Sequence, residues 1–193
     1  EDDVILDLGA HIGSFTKLCF DKGSKKVISF EPNPNTCSEF QKQLKKYPYN
    51  LINKAVFRSD MKVDKLYFSL DSADNSATGN SISQTGTPVD VISLDEVLSN
   101  FQKVKLLKID VEGAEFPILL TSKLINRVEE ICGEFHEFDD ISKLNNLFQI
   151  KDCKYTRDDI VKFLESQNFE VTLKESSWSS KHGQFWAKNK SFK

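Results

Sequence analysis

Across residues 4–57, short apolar blocks alternate with stretches whose apolar positions recur at helical spacing. Val4 to Leu8 closes on Asp7-Leu8-Gly9 and reads as a buried strand. Ser14 to Asp21 has helical spacing, and Gly23 suits the position just past a helix end. Lys26 to Glu31, "KVISFE", reads as a second strand. Asn33-Pro34 then offers an N-cap with proline at the first helical position, and the helix is expected to run to about Lys46. Leu51 to Phe57 reads as a third strand. Strand–helix–strand–helix–strand predicts a parallel sheet with helices on both faces.

The pattern then loosens. Lys65 to Leu70 alternates Leu66, Phe68 and Leu70 with polar positions, as a half-exposed strand does. Asp71 to Pro88 is rich in Ser, Thr, Asn, Asp and Gly and has no period. A loop of that length in a compact domain is usually functional, so it is expected to help form an acceptor pocket or lid. Val89 to Ile92 reads as a short strand, and Ser93-x-x-Glu96 as a capping box opening a helix to Phe101. Val104 to Asp110 is a further buried strand, followed by a helix over Phe116 to Asn126. Glu130 to His136 reads as a strand, and Thr156-x-x-Asp159 opens a helix ending near Asn168. Phe169 to Leu173 and Gln184 to Ala187 read as a terminal antiparallel hairpin. With no internal repeat and no linker, residues 1–193 are expected to form one domain.

Chemistry enters at the strand ends. Asp7, Glu31 and Asp110 each close a strand of the expected sheet, where open α/β folds bind their ligands. Alone, each acid would be a helix cap or a solvated end; together they define a cleft. The first turn, "DLGAHIG", has two glycines but lacks the third glycine of the dinucleotide fingerprint. An acid before the first glycine would also repel a pyrophosphate. Glu31 stands where an acid accepts the hydroxyls of a ribose. A ligand with an ammonium group and a ribose, and without phosphates, is S-adenosylmethionine.

Charge and cysteine content narrow the picture. Lys and Arg number 26 against 29 Asp and Glu, for a net charge of −3. That balance argues against a nucleic-acid partner. Four cysteines show no C-x-x-C pair and read as reduced thiols of a cytoplasmic protein. There is no run long enough to span a membrane and no signal peptide. The chain opens at Glu1 almost directly on a strand, which leaves open residues ahead of it.

"LDLGAHIGSFT", "SFEPNP", "NKAVFRSD" and "LLKIDVEGAEFPIL", in that order, resemble the FkbM family of S-adenosylmethionine-dependent methyltransferases. The resemblance covers Val4 to Leu120 and continues more weakly to His136. It implies the Rossmann-like class I methyltransferase sheet, with seven mostly parallel strands and the last antiparallel. It also implies methylation of a hydroxyl on a sugar, glycan or secondary metabolite. Carried over by position, Asp7, Gly9, Ala10 and Gly13 would line the methionine part of the cofactor. Glu31, with Pro32 beside it, would hold the ribose, and Asp60 the adenine amino group. Asp110 would face the reacting end. His11 stands where the family often has Asn.

Methyl transfer to a hydroxyl needs a proton acceptor, and the candidates are Asp110, Glu112 and His136. Glu112 and Glu115 also suit a helix N-terminus as plain acids. In "EICGEFHE", Cys132, Glu134 and His136 share one strand face. The remaining histidines, His11 and His182, are too scattered to define a metal site, so no metal is expected. Three other readings stay open. "EPNPNTCSEFQKQLKK" also resembles the second strand and helix of tRNA guanine-N1 methyltransferases. A non-catalytic methyltransferase-like module and a nicotinamide dehydrogenase are the others. The oligomeric state is not legible.

Overall fold

The computed structural model describes residues 3–68, 82–83, 87–138, 146–176, 179 and 181–192. Its main sheet is built from β1 (Val4–Leu8), β2 (Lys26–Phe30), β3 (Asn50–Ile52), β8 (Val104–Ile109), β9 (Val128–His136), β10 (Phe169–Glu175) and β11 (His182–Asn189). The order of these seven strands is β10-β11-β9-β8-β1-β2-β3. β1 runs parallel to β2 and β8, β2 to β3, and β8 to β9. β11 inserts antiparallel between β9 and β10. This is the class I methyltransferase sheet, with the reversed last strand that the terminal hairpin implied.

The helices are α1 (Ser14–Asp21), α2 (Pro34–Gln43), α3 (Leu94–Ser99), α4 (Glu115–Leu120) and α5 (Arg157–Ser166). Their starts follow the caps written in the sequence. Asn33 accepts from the backbone of Asn35 at 2.9 Å, ahead of Pro34. Ser93 with Glu96, and Thr156 with Asp159, form complete capping boxes. The core threads both faces of the central strands. Leu6, Leu8, Leu107, Phe116, Phe135 and Phe185 are all fully buried.

Two expectations need correction. The apolar run Leu51 to Phe57 is not one strand. It splits into β3 and β4 (Ala55–Phe57), which lie in different sheets. The break falls at Asn53, whose amide donates to the carbonyls of Glu31 and Pro32, each at 2.9 Å. Those bonds tie β3 to the end of β2 and release the chain into a second sheet. That sheet has the order β4-β7-β5-β6, with β5 (Lys65–Phe68), β6 (Ile82–Ser83) and β7 (Thr87–Ser93). Leu66 is buried and Tyr67 exposed, as the alternation required. The expected loop Asp71 to Pro88 lies mostly outside the described residues, but β6 falls within it and Thr87-Pro88 already belong to β7.

The expected helix Phe116 to Asn126 is also shorter. It ends at Leu120, and only a single 3₁₀ turn, Ile125–Arg127, follows. The cause is Asp95. Its carboxylate accepts from Ser122 Oγ at 2.5 Å and from the backbone of Lys123 and Leu124 at 3.0 and 3.3 Å. Three donors drawn to one carboxylate pull the chain out of the helix. Asp95→Ala should therefore cost about 1–3 kcal/mol, because the three donors lose an ionised acceptor. Urea unfolding of the variant against the parent measures this directly.

Candidate active site

The strand order reverses direction between β1 and β8, so the crevice at their carboxyl ends is where this architecture takes its ligand. Asp7 sits there with no exposed surface. Its Oδ2 accepts from Thr16 Oγ1 at 2.7 Å, and Thr16 in turn shares a hydrogen bond with Ser29 at 2.7 Å. Its Oδ1 has no hydrogen-bond partner and lies 3.5 Å from Lys108 Nζ. Burial raises the Asp7 carboxyl above its usual range, and Lys108 and Thr16 oppose that. Asp7 is thus beneath the crevice rather than in it. It wires β1 to α1, β2 and β8.

Gly9 follows with φ +75, and a Cβ there would lie 1.8 Å from the Asp110 carbonyl oxygen. The turn after β1 and the end of β8 touch backbone to backbone, which only glycine permits. Ala10 is buried, and both Gly9 N and Ala10 N donate to Phe30 O at 3.0 Å. At Gly13, φ +88, a Cβ would meet Phe40 and Leu44 of the α2 segment. Glu31, almost buried, uses one oxygen for His11 N at 2.9 Å and the other for Asn33 N at 2.8 Å. It joins the turn after β1 to the turn after β2, with Pro32 beside it. Burial lifts its carboxyl above the usual range, while the Asn33 and His11 amides pull it back.

Beyond β8 the chain makes a tight turn around Glu115. This fully buried carboxylate accepts from Val111 N and Gly113 N, each at 2.9 Å. The turn carries Glu112 at φ 53, a left-handed conformation costly for a residue with a side chain. His136, at the end of β9, places Nδ1 3.2 Å from Glu115 Oε1 and Nε2 3.7 Å from Glu112 Oε2. Burial works against its charge, but Glu115, Glu112 and Asp110 outweigh burial and lift the imidazole to about 9. That shift favours the protonated ring at neutral pH and weighs against the general-base role expected of His136. Asp110 is one-third exposed, at 34%, with Oδ2 3.6 Å from Lys108 Nζ. Glu112 is raised mainly by burial, with His136 pulling the other way.

A family model for the methyltransferase FkbM domain matches residues 7–171. The chain belongs to the FkbM methyltransferase family. Hexuronic acid methyltransferase AglP of Haloferax volcanii is 29% identical over 141 residues, covering 70% of this chain and 57% of that protein. The chain thus spans little more than half of that relative. An rRNA methylase from Streptococcus thermophilus superposes with a TM-score of 0.54 at 10% identity, covering 97% of this chain and 87% of that one. SMU.1697c from Streptococcus mutans, solved with SAH, gives 0.52 at 10% identity, covering 97% and 89%. At such identities these structures speak for the fold alone.

Within this FkbM domain, Asp7, Gly9, Ala10, Gly13, Glu31, Pro32, Asp110, Glu112 and His136 gather at the carboxyl ends of β1, β2, β8 and β9. Asp60, expected near an adenine, is engaged by another partner. Both its oxygens pair with Arg58, at 2.6 and 2.7 Å, and Arg58 also donates to the Leu147 and Gln149 carbonyls. The neighbouring Ser59 N donates to Thr121, at the end of α4 remote from Asp110. Sequence reading missed Lys108, whose Nζ donates to Gly9 O at 2.8 Å between Asp7 and Asp110. Its signal was a lysine inside an otherwise apolar strand. Reading Glu115 as an ordinary helix acid missed its hold on the turn. Thr16→Val should remove the one hydrogen bond to a buried carboxylate and cost about 1–3 kcal/mol. Chemical denaturation tests it, and a stability loss below experimental error would mean the Asp7 network is dispensable.

Proposed function

We propose that the chain transfers a methyl group from S-adenosylmethionine to a hydroxyl oxygen of a sugar or glycan. The observation that carries this reading is the pair of acids at the switch point, Glu31 and Asp110, above the buried Asp7 and on a turn without the dinucleotide glycines. Lys108, the cation among them, is engaged by the Gly9 carbonyl and flanked by two carboxylates, so it does not invite a pyrophosphate. Each Glu31 oxygen takes one backbone N–H, and a carboxylate oxygen can accept a second donor, which suits ribose hydroxyls. The residues present therefore fit the cofactor. Glu31 would hold its ribose, the Gly9–Gly13 turn its methionine end, and Asp110 would lie towards the reacting centre. When bound, the cofactor supplies a methyl group on a sulfonium with its leaving group built in.

What remains for the protein is alignment and the acceptance of one proton. With His136 protonated, Glu112 is the best-placed acceptor. It is partly exposed at the cleft, raised by burial, and held in a strained turn by the buried Glu115. A carboxylate with a raised pKa is a stronger base at neutral pH than an ordinary one. A sugar acceptor is supported by the hexuronic acid methyltransferase relative. The net charge of −3 weighs against a phosphate-backbone substrate.

Two measurements test the reading. S-adenosylhomocysteine at ~100 times its dissociation constant should stabilise the protein by roughly 2.7 kcal/mol in a thermal scan, with NAD giving no shift. A shift with NAD alone would sink the cofactor assignment. With a uronic acid or neutral sugar acceptor in hand, Glu112→Gln should lower kcat by about 10²-fold or more while leaving S-adenosylhomocysteine affinity unchanged. Unaltered kcat would remove Glu112 from the chemistry.

A further inference from the structure

The carboxyl ends of β8 and β9 hold a group of side chains that methyl transfer from a sulfonium does not by itself require. Asp110, Glu134 and His136 present ligand atoms that all lie within 4.8 Å of one another. All three are partly exposed, so the group opens on the cleft rather than into the core. The register explains the meeting. Ile109 pairs with Gly133, which brings Asp110 and Glu134 side by side at adjacent strand ends. Glu134 and His136 then share one face of β9 by the two-residue period of a strand.

The fully buried Glu115 carboxylate, itself no member of the group, takes the Nδ1 side of the His136 ring at 3.2 Å. Nε2 lies 3.7 Å from Glu112 Oε2, on the partly exposed side of the ring, and a cation bound there would take the place of the ring proton. A carboxylate on one ring nitrogen with the other nitrogen presented outwards is how metal-ligating histidines are held. Lys108 contacts Oδ2 of Asp110, and a carboxylate has a second oxygen to give.

We propose that Asp110, Glu134 and His136 bind a divalent cation of the Mn²⁺ or Mg²⁺ kind, leaving open coordination positions that face the acceptor. Two carboxylates and one imidazole suit hard to borderline ions, which keep several waters or substrate oxygens. Ion–ligand distances near 2.1 Å require the three side chains to close up by small rotations. The open positions favour acceptors offering two neighbouring oxygens, such as vicinal hydroxyls or the hydroxyl and carboxylate of a sugar acid. This departs from the sequence-based expectation of no metal. The choice of acceptor rests on the methyltransferase reading, whereas the cation site does not.

The test uses the full chain stripped of metal with EDTA and titrated with MnCl₂, read by the loss of free Mn²⁺ signal in electron paramagnetic resonance. One saturable Mn²⁺ per chain is expected. Glu134→Gln, an isosteric change on a partly exposed strand position, should weaken binding at least tenfold, and Glu115→Gln by about 10–100-fold. No saturable binding up to about 1 mM overturns the site. Binding that Glu134→Gln leaves unchanged, in a variant whose melting curve matches the parent, also overturns it. A parallel thermal scan with S-adenosylhomocysteine separates the two readings. Mn²⁺ binding without a cofactor shift leaves the cation site standing and the methyltransferase reading fallen; a cofactor shift without Mn²⁺ binding does the reverse.

Discussion

A carboxylate with no exposed surface fixes the geometry of the cleft. Asp7 cannot be left alone in the interior, because an unpaired buried charge is costly. Its needs are met from three directions: Thr16 on α1, Ser29 on β2 through Thr16, and Lys108 on β8. Each partner arrives only if its element packs in the observed place. Lys108 then passes the constraint on, reaching the Gly9 carbonyl and one oxygen of Asp110. The first turn and the end of β8 are therefore positioned by one electrostatic arrangement lying under the crevice.

Above that layer the division of labour is chemical. The β1 and β2 ends offer backbone and one carboxylate, Glu31, whose oxygens already draw two turns together. The β8 and β9 ends concentrate Asp110, Glu112, Glu115 and Glu134 around His136. So many acids near one imidazole hold its proton firmly. One half of the crevice is thus lined mainly by backbone groups and a single carboxylate, and the other by a dense group of acids around one imidazole.

Much of this was legible in the chain because it depends on local rules. Hydrophobic blocks gave the strands, and Asn33-Pro34, Ser93-x-x-Glu96 and Thr156-x-x-Asp159 gave the helix starts. The acids at strand ends were visible because strand ends were. What stayed hidden depends on partners far apart in sequence. Nothing local announces that Asn53 will reach back to Glu31, or that Asp95 will capture Ser122 and its neighbours. The pairing of Asp60 with Arg58 is local and could have been seen, since Arg58 lies two residues before it in "FRSD". Lys108 and Glu115 were read by class, as a strand interruption and a helix acid, and their burial gave each a different task.

The placing of β11 also governs the order in which this half of the crevice can form. Glu134 and His136 lie on β9, which gains its outer neighbour only when residues 182–189 slot in, pairing His136 with His182 and Glu134 with Gln184. Until those residues leave the ribosome, β9 is an exposed edge strand, open to wrong pairing. The β1–β2 side can close early, from neighbouring segments, whereas the β9 side waits for contacts across a long stretch of chain. The β1–β2 and β9 walls of the crevice are therefore separated in folding time as well as in space.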